Sequence, residues 1–174
     1  MSFSDWLSDV PVVGDLFEIL ALIQPAEVYA ELREAMFWTE VGNTGLDTRQ
    51  YMLAEQSLVP VVWNEAGSEV VSGKWEDING YVSTDPEDFD IDHRVSFSQI
   101  VKEHPDFYAL SKDEKLAVYN DLSNLQILHD DENISKSNAT PIDYAKSIAD
   151  SEARDAFLEQ ARNYLETVRG RFRA

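Results

Sequence analysis

Asn124-Leu125-Gln126-Ile127-Leu128-His129-Asp130-Asp131-Glu132-Asn133-Ile134-Ser135-Lys136-Ser137-Asn138 is the stretch from which the rest of this chain can be read. Its first six residues are short and largely apolar, as in a buried strand. From Asp130 the sequence turns polar, and Asp130 and Asp131 suit a helix N-terminus. The stretch therefore predicts a strand running directly into a helix. Upstream, residues 89–97 alternate between apolar and polar, the pattern of a second strand. That strand carries Asp92 and His93 near its end. Strand, strand and helix can bring Asp92 and Asn133 together, with His93 alongside.

These residue types suit metal-assisted hydrolysis of a phosphodiester. A hard cation neutralises charge on the scissile phosphate and the leaving oxygen. Such cations prefer oxygen ligands, and Mg²⁺ takes only one or two from protein. Asp92 and Asn133 can supply them. Water must also be activated, and a neutral imidazole such as His93 titrates in the right range. Asn124 can tie down the loop after the first strand through its backbone. His129 reaches the metal or the phosphate if the helix starts early, and is otherwise a packed or solvated strand-end residue. Lys136 is a phosphate contact or a surface lysine. Taken singly, each residue has a plain structural reading: polar strand end, turn residue or solvated helix face. Their order singles them out.

In that order, Asp92-His93, Asn124-Leu125-Gln126-Ile127-Leu128 and Asn133-Ile134-Ser135-Lys136 resemble the three motifs of HNH endonucleases in their His-Asn-Asn form. Ser72-Gly73-Lys74-Trp75, Asp85-Pro86 and Phe89-Asp90-Ile91-Asp92-His93 resemble the lead-in of one HNH branch. The resemblance runs over residues 58–145. It implies an α+β chain with a ββα-metal core, DNA as substrate and a divalent cation, Mg²⁺ first, with Mn²⁺, Ni²⁺ or Zn²⁺ as others. By the match of motifs His93 is the general base, Asp92 and Asn133 are the metal ligands, and Asn124 is the supporting Asn. The chain departs from many relatives in lacking Cys pairs, and with them a structural zinc. Glu132 stands where a Cys is common, and Ser96 where a proline is usual.

Working outward, residues 58–63 and 69–75 flank a turn at 64–67 and predict a β-hairpin, with Pro60 demoting its first strand to an edge or bulge. Trp75 reads as a core anchor. Ser111 and Glu114 form a capping box for a helix over 111–119. His104, before Pro105, belongs to a loop. The chain from 142 to 169 predicts a long helix or helix pair, with Phe157, Ala161, Tyr164, Leu165, Val168 and Phe172 as its apolar stripe and Gly170 as a break. The first forty residues read as two short helices joined at Pro25, one carrying Leu16, Phe17, Leu20 and Ile23, the other Val28, Leu32, Ala35 and Met36. The expected organisation is an acidic helical segment at 1–45, a nuclease-like core at 46–145 and a C-terminal helix at 146–174.

The 174 residues carry 33 acids and 14 bases, a net charge of −19, and no Cys. Such a balance speaks against a generic nucleic-acid coat protein, whose affinity rests on Lys and Arg facing phosphates. The acidity is uneven, however: residues 1–91 hold 18 acids and 3 bases, while residues 141–174 hold 6 of each. Arg169, Arg171 and Arg173 can track a DNA backbone or serve as favourable charges at a helix C-terminus. The apolar stretch at 10–23 is interrupted by Asp15 and Glu18 and falls short of the ~20 residues of a membrane span. No basic segment precedes it, so the expectation is a cytoplasmic protein, or one exported without a cleavable signal peptide. Val10-Pro11-Val12-Val13-Gly14-Asp15 resembles a stretch found upstream of toxin domains in secreted bacterial polymorphic toxins, which implies an inhibitor or immunity protein as partner. The acidity equally suits helices that cover a basic site, or a halophilic host.

The leading expectation is a metal-dependent endonuclease that hydrolyses DNA. The rival is a catalytically silent module of the same fold that grips a cationic protein through its acidic surface. A third reading is a structural α+β protein in which the motifs coincide by chance.

Overall fold

The computed structural model describes residues 26–171. The chain divides into two compact units, Met1–Ala35 and Met36–Ala174. Helix α1 (Ala26–Glu34) is the described part of the first unit. It contains Val28 and Leu32 of the predicted second helix; the predicted helix around Leu16–Ile23 and the toxin-like stretch lie outside the described residues. The second unit begins ten residues earlier than expected, and Asn120 shows why. Its Oδ1 accepts from Thr39 N (3.0 Å) and Thr48 Oγ1 (2.7 Å), and its Nδ2 donates to Phe37 O (3.0 Å). One side chain thus stitches residues 37–48 onto the core.

The second unit is α+β. In chain order it contains α2 (Thr48–Gln56), β1 (Val62–Trp63), β2 (Val70–Ser72), β3 (Trp75–Glu76), β4 (Val82–Ser83), β5 (Phe89–His93), α3 (Phe97–Glu103), α4 (Lys112–Tyr119), β6 (Leu125–His129), α5 (Asp130–Lys136), α6 (Pro141–Ala145) and α7 (Ser151–Arg171), with short 3-10 turns between. The strands form three antiparallel pairs, β1–β2, β3–β4 and β5–β6. The first is the predicted hairpin. The expected strand over 69–75 is broken in two at Gly73-Lys74. Gly73 lies against the Trp75 ring, where a Cβ would come within 2.7 Å of two ring carbons and 2.8 Å of Ser57 Oγ. Trp75 is fully buried, and its Nε1 donates to Leu53 O at 2.7 Å. The Gly-Lys-Trp sequence is thus a packing unit: the glycine makes room for the ring that anchors the core.

The β5–β6 ribbon pairs Phe89 with His129 and His93 with Leu125. Successive side chains alternate between its two faces. On one face Phe89, Ile91, Leu125 and Ile127 pack with Met52, Leu53, Val70 and Trp75. On the other, Leu128 packs with Tyr144, Ala145, Ile148 and Phe157. The ribbon is therefore covered on both sides, and β6 runs straight into α5.

Helix α4 starts with the predicted capping box, Ser111 and Glu114 closing it reciprocally. The predicted C-terminal helix pair is α6 and α7. Phe157, Ala161, Tyr164 and Val168 are buried and Leu165 is half-buried, while Phe172 lies outside the described residues. Gly170 does not break α7, which runs on to Arg171; that residue's Nη2 bonds Asp121 at 2.8 Å and holds the last turn. Two helices were missed. Asp47 caps α2 by accepting from Gln50 N at 2.8 Å, and Ser96 caps α3 by accepting from Gln99 N at 3.2 Å. The alternation over 89–97 hid the second: β5 ends at His93, and Val95 and Phe97 point inward from a turn and a helix.

The Gly73–Trp75 contact makes a sharp prediction. Gly73→Ala forces a buried ring to move and is expected to cost about 1–3 kcal/mol, the usual range for overpacking, read as a lowered urea midpoint. A midpoint equal to the wild type's would show that the ring has room to shift.

Candidate functional site

Asp92 and His93 end β5, and their side chains leave the ribbon on opposite faces. Asp92 points toward α5 and is buried. Its Oδ1 accepts from Lys136 Nζ at 3.0 Å and its Oδ2 from Gln126 Nε2 at 2.9 Å. The Lys136 ammonium also donates to His93 O at 2.8 Å and lies 5.7 Å from the centre of the Tyr144 ring. The lysine side chain is 0% exposed. It is therefore neither a surface lysine nor exposed to a phosphate, but the buried counter-ion of Asp92. Burial pushes the Asp92 carboxyl above the usual carboxylate range, and Lys136 and Gln126 oppose that rise.

Asn133 lies one helical turn before Lys136. Its Nδ2 donates to Asp90 Oδ2 at 2.9 Å. Asp90 and Asp92, two apart on a strand, share a face; Asn133 and Lys136, three apart on a helix, share another. The structure so forms two adjacent pairs, Asp90–Asn133 and Asp92–Lys136. Asp92 and Asn133 take different partners instead of meeting directly. Still, Asp90, Asp92 and the Asn133 amide oxygen are all hard donors on one side of the ribbon, the ligand type a divalent cation prefers. A cation at Asp92 has to take the place of the Lys136 ammonium.

His93 sits on the other face, 8% exposed. Its Nε2 lies 2.8 Å from Tyr119 O. A carbonyl can only accept, so Nε2 carries the hydrogen and Nδ1 is the basic nitrogen of the neutral ring. Trp38 stacks on the imidazole with ring centres 5.9 Å apart, and Tyr119 and Phe97 flank it at 4.7 and 6.2 Å. Trp38 is itself half-buried.

Asn124 is wholly buried and bonds the turn that follows β5. Its Oδ1 accepts from Val95 N and its Nδ2 donates to Val95 O, both at 2.9 Å, while its own carbonyl accepts from Arg94 N at 2.8 Å. The turn after Asp92-His93 is thereby clamped to the start of β6.

His129 falls at the far end of the ribbon, four residues of strand from the Leu125–His93 pair, about 13 Å at 3.3 Å per residue. Its ring packs at a tilt against Tyr81 with ring centres 3.9 Å apart, and its Nε2 lies 3.3 Å from Asp130 Oδ1. It does not join Asn133, because α5 begins only at Asp130. His129, Asp130 and Asp131 place one ligand atom each within 4.8 Å of one another. Sequence reasoning missed Asp90, Gln126 and the burial of Lys136. The strand and helix periodicities already put Asp90 beside Asp92 and Asn133 beside Lys136, but not which residue faces which. His104 caps the end of α3.

Set against known proteins, the chain matches no family model, no curated protein and no solved structure.

Two expectations follow from the buried groups. Lys136→Met leaves the Asp92 carboxylate without a counter-ion and should cost about 3–5 kcal/mol in urea unfolding. Asp92→Leu in the same chain should restore most of it; a single variant as stable as wild type would remove the pair from any structural role. Burial also pushes the Tyr144 phenol from 10.0 up to about 12, against the hydrogen bond from Asn79. The unfolded phenol ionises first, so this contribution is complete below pH 10.0 and is lost as pH rises toward about 12. In Tyr144→Phe the alkaline fall in stability should be shallower, measured as urea midpoints across that window; an unchanged slope would point to other groups.

Proposed function

We propose that this protein is a metal-dependent endonuclease of the HNH type, hydrolysing phosphodiester bonds of DNA through water activated by His93. The observation that carries the reading is the Asn124 clamp. It holds the turn immediately after Asp92-His93 by both backbone groups of Val95, the role the motif resemblance implies for this Asn. The order of strand, strand and helix around it supports the same reading, as a ββα-metal core requires.

When bound, a divalent ion supplies charge neutralisation at the scissile phosphate and the leaving oxygen. Asp92 and Asn133 would hold it, with Asp90 beside Asn133, once Lys136 withdraws from Asp92. By the match of motifs His93 would take the proton of the attacking water at Nδ1, reaching it around the end of β5, since Asp92 leaves the ribbon on the other face. Tyr119 O, already receiving Nε2–H, keeps the ring in the required tautomer and steadies the charged form. Trp38, Tyr119 and Phe97 limit bulk water at the ring and fix its plane. Asn124 keeps the backbone that carries both residues from opening.

A second reading has its own observation. The Lys136–Asp92 pair and the rings around His93 equally suit a silent module of this fold, binding a cationic protein through its acidic surface. Calorimetric titration with Mn²⁺ separates the two, since a silent module takes up no ion.

The deciding assay is plasmid nicking. Mg²⁺ should support cleavage and EDTA abolish it, and His93→Ala should lower the rate about 10²–10⁴-fold, the usual worth of a positioned base. Cleavage at the wild-type rate in His93→Ala sinks the mechanism.

A further inference from the structure

Arg94 follows the Asp92-His93 pair, and its guanidinium has a different environment from the other buried charges. Nη1 donates to the Leu125 carbonyl. Nε is closed off from solvent and meets no hydrogen-bond partner. No carboxylate lies within ion-pair distance of it among the described residues, although Asp92, itself paired with Lys136, is near enough to favour its charged form. Arg94 lines a cleft of about 200 Å³ together with Gln56, Gln126, Gln160 and Glu76, backed by Phe157. At ~30 Å³ per water, that leaves room for one tetrahedral oxyanion and its nearest waters. Gln126 is the shared wall: it lines the cleft and donates to Asp92 Oδ2 at 2.9 Å. The cleft therefore lies one side chain from the candidate cation ligand.

We propose that the Arg94 cleft is a phosphate subsite, which seats a backbone phosphate of the nucleic-acid strand next to the bond that is cut. The chemistry is that of a guanidinium fork, whose N–H groups match the oxygens of phosphate better than an ammonium can. Placement follows from Gln126, which couples the subsite to Asp92. Glu76 is the one carboxylate on the lining; it is exposed at the rim, where water and salt screen it. It weakens the subsite without filling it. The assignment rests on the nuclease reading for the identity of the phosphate, but not for its binding.

The test uses the full chain in EDTA, so that no strand is cut. Inorganic phosphate and a short single-stranded DNA oligonucleotide are titrated separately, followed by calorimetry and by the Arg94 Nε–Hε signal in NMR. Both ligands should move that signal. Arg94→Met should weaken both about tenfold or more, the worth of a charge-assisted hydrogen bond, and Glu76→Gln should tighten both. A urea midpoint for Arg94→Met no lower than wild type shows that the loss is not unfolding. If neither ligand moves the signal, or Arg94→Met binds as wild type does, the subsite is overturned. Binding of inorganic phosphate but not of the oligonucleotide overturns its assignment to a strand. A chain that binds the oligonucleotide through Arg94, yet never nicks a plasmid with Mg²⁺, overturns the hydrolase and leaves the subsite standing.

Discussion

Between the β5–β6 ribbon and α5, the Asp92 carboxylate and the Lys136 ammonium meet out of reach of water. Neither charge is tolerable there alone, since an unpaired buried ion costs several kcal/mol. Together they fix how α5 is turned. With Lys136 over Asp92, the turn before it places Asn133 over Asp90. The fit is geometric: three residues of helix rise about 4.5 Å, and two residues of strand about 6.6 Å. A helix of seven residues has little stability of its own. Its position is therefore set by these two pairs and by the apolar cluster under Leu128.

The end of the ribbon that carries Asp92 and His93 is governed by Asn124. Because it uses both side-chain groups on one residue of the opposite segment, the turn after His93 cannot peel away without losing two buried hydrogen bonds at once. That rigidity reaches His93 through the chain and Arg94 through the neighbouring amide. It also explains how three consecutive residues can have three different surroundings. Asp92 faces a lysine, His93 a cage of rings and a carbonyl, and Arg94 a small polar cleft. Alternation along the strand separates the first two, and the clamp sets the third.

Local signals in the sequence were legible, and distant ones were not. The Ser111–Glu114 box, the β5–β6–α5 succession and the Asn124 clamp each depend on a few neighbouring residues or on one turn. Helices α2 and α3 announce themselves only by single caps, Asp47 and Ser96, and the alternation over 89–97 runs across the start of the second. The start of the second unit depends on Asn120, which bonds Thr39 from 81 positions away. The break at Gly73 depends on where the Trp75 ring comes to rest. Lys136 looked like a surface residue because nothing in its own helix shows which face the ribbon covers. For the candidate site, the residue types were readable, but the pairing was not: it follows from the rotation of α5.

The net charge also looks different once the cations are located. Arg49 donates to the carbonyls of Phe89 and Pro86, Lys115 to that of Tyr108, and Arg154 to that of Ile148. Lys136 is taken by Asp92. In the tail, Arg171 pairs with Asp121 and Arg169 lies 3.9 Å from Glu103, so two of the three arginines, which could track a DNA backbone or serve as helix C-terminal charges, tie α7 to the core. Much of the positive charge is thus directed inward, against carbonyls and carboxylates. On the proposed reading, a chain built this way would release few counterions on meeting nucleic acid, and its affinity would depend only weakly on salt. Recognition of a phosphate then has to come from short-range donors in a sheltered place, where one guanidinium or one bound cation acts at low dielectric. An acidic exterior and a phosphate-binding site are compatible on those terms, because the first governs encounter and the second governs what happens within a few ångströms.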